Sequence, residues 1–149
     1  ALILLDTQAG GEAPEVTAAY QGMIDTWATV GPVDELAGII ATIIIDDEAE
    51  NGTWIQKWQS RPKELIVEAG RCLLSRDDIH DRLAEITCPA LVVHGTEDTA
   101  ITMDKAELMA AGLKGCGGVV RVGGAHAANL TNPEPVNAAI LEFLAGLPA

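Results

Sequence analysis

Two residues in the last third of the chain have the types and the placement for proton-transfer chemistry. Asp98 comes three residues after Gly95, which breaks the apolar run Ala90-Leu91-Val92-Val93-His94. His126 follows a second apolar run, Val119-Val120-Arg121-Val122, that breaks at Gly123-Gly124. A carboxylate beside an imidazole fixes the ring's tautomer and stabilises the imidazolium while the ring takes a proton from a nucleophile. The pair needs both loops on one edge of one sheet. The elements around it predict that placement: strand, turn, an amphipathic stretch from Asp104 to Leu113, strand, turn, then a helical pattern from Pro133 to Leu147. Such an order means parallel strands joined by a right-handed crossover, with both loops at the carboxyl ends of their strands.

Each candidate has a plainer use. Asp98 could serve only as a turn residue that accepts backbone amides after Gly95. His126 could be a surface loop histidine, although the small residues from Gly123 to Ala128 would let a base approach its partner closely. Glu97 competes with Asp98 for the acid role, but adjacent side chains point apart. His94 ends its strand and reads as packed beneath the loop. His80 lies in the acidic stretch Asp77-Asp78-Ile79-His80-Asp81 and reads as part of a solvated helix. Those carboxylates do not share one face with it, so no metal site is predicted. Gly70-Arg71-Cys72 has the look of half a nucleophile elbow, and the order Cys, Asp, His suits a triad. Leu74 fills the second small position, however, and Glu64, Ile66, Val67, Gly70 and Leu73 make a helical pattern with no preceding strand.

The stretch Ile86-Thr87-Cys88-Pro89-Ala90-Leu91-Val92-Val93-His94-Gly95-Thr96-Glu97-Asp98, with Val122-Gly123-Gly124-Ala125-His126 and Pro133-Glu134-Pro135-Val136-Asn137, resembles the C-terminal half of α/β-hydrolase enzymes. The esterase, lactonase and cofactor-free haloperoxidase-like members are the nearest in character. The resemblance implies that Asp98 is the triad acid, that His126 is the triad base, and that no cofactor is used. Thr102 departs from the family pattern, which often has proline after the acid loop.

Composition sets limits on the rest. The chain has 149 residues, 48% of them apolar, enough for one modest core. A net charge of −13 argues against nucleic acid or an anionic membrane surface as partner. The apolar run from Leu36 to Ile45 is too short to span a bilayer. Cys72, Cys88 and Cys116 are odd in number and unpatterned, which implies no disulfide framework and fits a reducing cytoplasm.

The chain opens on a strand, Ala1 to Thr7, that is apolar on both faces, as in the interior of a parallel sheet. By resemblance it is the sixth strand of the hydrolase sheet. The fold class expected is therefore α/β: the C-terminal part of that sheet, three parallel strands, with an inserted helical cap. Residues 1–10 and 76–149 would be hydrolase core and 11–75 the cap. Val16, Tyr20, Met23, Ile24 and Trp27 fall on one helical face, and Gly31-Pro32 stops that helix. The dense apolar stretch from Asp34 to Ile45 fits either a strand or a buried helix. Asn51-Gly52 reads as a turn before a short helix, Trp54 to Trp58, and Pro62 as the start of another running to Ser75.

Neither serine, Ser60 or Ser75, sits in a Gly-x-Ser-x-Gly elbow. A nucleophile is therefore expected from the N-terminal half of the same enzyme, which is the first partner anticipated; a homo-oligomer joined at the open strand is the other. Trp27, Trp54 and Trp58 lie in the cap, either as cap core or as apolar contacts to an ester or lactone substrate. Three functions stay open at this point. The first is a serine hydrolase of small esters or lactones. The others are a dehalogenase-type enzyme with an aspartate nucleophile and a non-catalytic binding protein of the same fold. Tyr20 is the only tyrosine, which counts against an epoxide hydrolase using cap tyrosines.

Overall fold

The computed structural model describes residues 1–148. In chain order its elements are β1 (Leu2–Leu5), α1 (Pro14–Val30), α2 (Asp34–Ile44), α3 (Glu48–Gln59), α4 (Leu65–Leu74), a 3₁₀ helix (His80–Glu85), β2 (Ala90–Gly95), α5 (Met103–Gly112), β3 (Cys116–Val122), α6 (Ala128–Thr131) and α7 (Pro133–Ala145). They divide into two units. One holds residues 1–9, 43–46 and everything from Ile79 onward; the other holds 10–42 and 47–78.

The first unit is built on a parallel three-stranded sheet in the order β1-β2-β3. Alternation along the strands explains how both of its faces are covered. Leu2, Leu4, Ala90 and Val92 stand on one face and meet Ala106, Met109 and Ala110 of α5, with Leu83 and Leu113. Ile3, Leu5, Leu91 and Val93 stand on the other and meet Val136, Ala139, Ile140 and Phe143 of α7. Val92 and Val93 are each only 1% exposed. Burial of one such side chain is worth about 1.5–3 kcal/mol, so these clusters hold the sheet and its crossovers in place. α7 starts at Pro133, where a missing N–H costs nothing, and stops before Gly146.

β1 differs from its sequence pattern in one respect. An interior strand is predicted, yet in this chain it forms one edge of the sheet and all four residues are only half-buried. No helix among the described residues is long and apolar enough to cross a membrane.

The second unit is helical. The ambiguous stretch after Asp34 is helix α2: Asp34 and Glu35 sit in its first turn, where the helix dipole favours acids, and Leu36, Ala37 and Ala41 are buried. Asn51-Gly52 is not a turn but lies inside α3. The Asp47 carboxylate caps that helix by accepting the Ala49 and Glu50 amides at 3.0 and 2.9 Å, and the Asn51 side chain reaches back to the Asp47 amide at 3.5 Å. Both residues with turn propensity are thereby absorbed into a capped first turn and a half. Cys72 is exposed within α4, so the half-elbow pattern around it is a helix surface. The Arg76 guanidinium meets the Glu12 carboxylate at 3.2 Å and joins the two ends of this unit.

Gly95 lies where the loops after β2 and β3 come close together. A Cβ there would lie 2.5 Å from the Ala125 carbonyl oxygen and closer still to that of Gly124, both backbone atoms that cannot swing aside. Gly95→Ala should therefore lower the unfolding free energy by about 2 kcal/mol or more. Gly117→Ala, with nothing within 4 Å of the new methyl group, should be close to neutral. Denaturant midpoints of the two variants check the contrast, and equal midpoints would remove Gly95 as the reason the loops fit.

Candidate active site

β2 ends at Gly95 and β3 at Val122, so the loops that follow both open at the carboxyl edge of the sheet. The Asp98 carboxylate and the His126 ring meet there, Oδ2 to Nδ1, at 2.9 Å. The two uses weighed for Asp98 both occur, one on each oxygen. Oδ1 accepts the amides of Ala100 and Ile101, each at 2.9 Å, and pins the turn. Oδ2 is left for the imidazole. The Asp98 side chain is fully buried, while that of His126 is 25% exposed, so the acid sits behind the base and the base faces outward.

Burial works against charge on Asp98. The hydrogen bond from His126 and the Ile101 amide outweigh it and hold the carboxyl below the usual carboxylate range. An ionised carboxylate has no proton to donate, so His126 Nδ1 must carry one and the ring's lone pair lies on Nε2. That is the tautomer a general base needs.

Glu97 does something else. Its carboxylate accepts the Gly124 amide and, at 2.7 Å, the Thr96 hydroxyl. Its own amide donates to the Gly124 carbonyl at 3.0 Å, and the Thr96 amide donates to Val122 O at 2.8 Å. The Gly124 amide and the Thr96 hydroxyl hold the exposed Glu97 carboxyl below its ordinary range. The two loops are thus laced together by backbone, and Glu97 belongs to the lacing. Gly124 suits the role because its φ of 127° is one that side-chain-bearing residues rarely adopt.

His94 is completely buried, as the sequence suggests for a residue under the loop, and its Nε2 lies 2.8 Å from Ile101 O. Asp6, which no sequence motif singled out, directly follows β1 at the same sheet edge and accepts the Gly95 amide at 2.7 Å. The signal was available: an aspartate directly after an apolar strand, where Asp98 follows its own strand by three residues. Burial pushes the Asp6 carboxyl up, and the Gly95 amide only partly offsets it. Ligating atoms of Asp6, His94 and Asp98 lie within 4.8 Å of one another.

The three tryptophans are gathered in the helical unit. Trp58 stands between Trp27, with ring centroids 6.0 Å apart, and Trp54, at 6.4 Å, while Lys57 Nζ lies 4.1 Å over the Trp54 ring. All three are half-buried. His80 begins the 3₁₀ helix rather than lying within an acidic helix, because residues 77–79 are irregular. Cys72, Cys88 and Cys116 carry free thiols.

No family model matches the chain. Among curated proteins it is 35% identical over 89 residues to the pimeloyl-[acyl-carrier protein] methyl ester esterase of Edwardsiella ictaluri, a match covering 59% of this chain and 34% of that protein. Among solved structures it is similar to a thermophilic esterase from Thermogutta terrifontis, with a TM-score of 0.83 and 26% identity over 97% of this chain and 55% of that one. It is also similar to the enol-lactonase from Burkholderia xenovorans, with a TM-score of 0.80 and 21% identity over 96% of this chain and 55% of that one. The chain therefore spans about half the length of the solved structures it matches and about a third of that curated relative.

Two measurements test the electrostatics of this edge. The Asp98 carboxyl is depressed in the folded protein, so the stability it contributes is present above the unfolded value of about 3.9 and lost as pH falls through the lower folded value. Asp98→Asn should remove that part of the acid-side slope, so its urea midpoint falls less steeply than the parent's below about pH 4. Equal slopes would mean that the carboxyl is not depressed. Glu97→Ala should speed hydrogen exchange of the Gly124 amide by about tenfold, the worth of one net hydrogen bond. Unchanged exchange would show that the backbone lacing suffices without the carboxylate.

Proposed function

We propose that this chain, which has the α/β-hydrolase fold, supplies the acid and base of a serine hydrolase acting on small esters or lactones. The observation that carries the reading is the 2.9 Å bond between the buried Asp98 carboxylate and the outward His126 ring at the carboxyl edge of a parallel sheet. The names of the similar proteins, an ester esterase, a thermophilic esterase and an enol-lactonase, support the substrate class.

The chemistry follows from the tautomer. His126 Nε2 takes the proton of a serine hydroxyl as its oxygen attacks the ester carbonyl, and the Nδ1–H bond to Asp98 strengthens as the ring becomes cationic. The ring then gives that proton to the departing alkoxide, and a second cycle with water releases the acid. Asp98 does not change protonation. The step as written uses no cofactor.

The serine and the oxyanion donors belong, in this reading, to an N-terminal half of the same enzyme. Ser60 and Ser75 fit neither role, since both cap the C-terminal ends of helices in the helical unit. The edge strand β1 supports the same partner. It is apolar on both faces and half-buried, and an unpaired edge is a template for another strand. Covering several such side chains at about 25 cal/mol per Å² is worth several kcal/mol. Self-association through β1 is the competing outcome.

Joined to its N-terminal half, the protein should hydrolyse a p-nitrophenyl ester, and residues 1–149 alone should not. Asp98→Asn should lower kcat by roughly 10⁴-fold, the scale for the same change in a serine-protease triad. Near-normal turnover in Asp98→Asn would end the acid assignment, and turnover by the isolated chain would end the need for a second half.

A further inference from the structure

Behind the Asp98–His126 pair lies a second acid–imidazole pair. We propose that Asp6 and His94 together hold one proton more than an ionised carboxylate and a neutral ring would carry, and that this neutral pair positions the acid loop. The proposal takes Asp98 and His126 as acid and base from the reading above.

The sheet register brings the two residues together. Leu5 stands opposite Val93, so Asp6, directly after β1, comes beside His94 of the neighbouring strand. His94 Nε2 lies 2.8 Å from Ile101 O, a carbonyl that can only accept, so Nε2 donates. On a neutral ring Nδ1 then carries the lone pair. That nitrogen is buried with no hydrogen-bond partner, and the atom it faces is Asp6 Oδ1 at 3.8 Å. An ionised carboxylate there would set two electron-rich atoms against each other with no donor between them. A single proton, on Nδ1 or on the Asp6 carboxyl, removes the conflict, and it is counted to the pair rather than to either residue. The other titratable groups acting on Asp6 are Asp98, whose Oδ2 lies 3.5 Å from His94 Nε2, and His126. With Asp98 already ionised, a further buried negative charge would have to face it. Burial also raises the Asp6 carboxyl, the direction the inference requires.

The positioning role comes from what the pair grips. Asp6 Oδ1 accepts the Gly95 amide at 2.7 Å, at the start of the acid loop. His94 donates to the carbonyl of Ile101, at its end, and the Ile101 amide in turn donates to Asp98 Oδ1 at 2.9 Å. Asp98 thus sits between two held ends. Asp6 takes its place with a φ of 43°, a left-handed conformation that aspartate tolerates better than most residues. Asp6 and His94 are positioning residues, since neither reaches the solvent-facing side of His126.

The test reads protons rather than turnover, so it fails separately from the hydrolase reading. The chain contains three histidines, and ¹⁵N-histidine and ¹³C-aspartate labelling resolves them for titration by NMR. Near pH 7, either the Asp6 carboxyl carbon should read protonated or both His94 nitrogens should. An ionised Asp6 together with a singly protonated His94 would overturn the proposal. Asp6→Asn keeps an acceptor for the Gly95 amide but not the proton, so His94 should read singly protonated in this variant while the low-field His126 Nδ1–H signal persists. Asp6→Leu loses the acceptor as well, and that signal should be lost. Its survival in Asp6→Leu would overturn the positioning role. If the Leu variant does not fold, Asp6→Asn alone decides the proton: a His94 still protonated on both nitrogens without the Asp6 carboxylate would overturn the pairing.

Discussion

The arrangement at the sheet edge depends on how one carboxylate divides its two oxygens. Asp98 Oδ1 is used for backbone amides and Oδ2 for the imidazole. Neither use alone would suffice. Without the amides the carboxylate would rotate, and without the ring it would be a buried charge with half its acceptors unused, which is costly in a low-dielectric interior. Together they keep the group ionised despite its burial. Ionisation in turn forces the proton of His126 onto Nδ1. Loop geometry, charge state and tautomer therefore follow from one another.

The loops are also held in place by contacts outside the pair. Gly95 has no side chain because the Gly124 and Ala125 carbonyls occupy the space. Thr96 and Glu97 bond across to Val122 and Gly124, and Asp6 holds the Gly95 amide from the neighbouring strand. Beneath these contacts lie two apolar clusters, one on each face of the sheet, that fix α5 and α7 against β2. The central strand is buried throughout, so its carboxyl end is a rigid base for the acid loop. Rigid elements below and short crossed loops above are what a proton-transfer pair needs to stay within hydrogen-bonding distance.

The fold shared with esterases and an enol-lactonase puts these residues in a wider context without transferring a substrate. The chain matches about half of each of these solved structures, and its own sequence holds no Gly-x-Ser-x-Gly elbow. An apolar strand left at the sheet edge is consistent with that division. It has the composition of an interior strand and the burial of a margin.

What the sequence by itself determined was the order of elements and the two loops that bring a carboxylate to an imidazole. A run of apolar residues broken by glycine is a local signal, and the parallel arrangement follows from the alternation of strands with helices. Asp98 and His126 were legible for that reason, as was the burial of His94. Where local signals conflicted, packing decided. Asn51-Gly52 has turn propensity but lies in a helix capped by Asp47, and the Asp34 stretch is a helix because its small and apolar residues bury one side of it. Only the tertiary structure could disclose Asp6 as a partner of Gly95 and His94, because 88 residues separate Asp6 from His94 and only strand register makes them neighbours. It also showed that Asp98 meets the His126 ring while Glu97 turns to the Gly124 amide. Adjacent residues at a turn direct their side chains to different sides, and the direction of each was set by a backbone amide from the other loop or from its own.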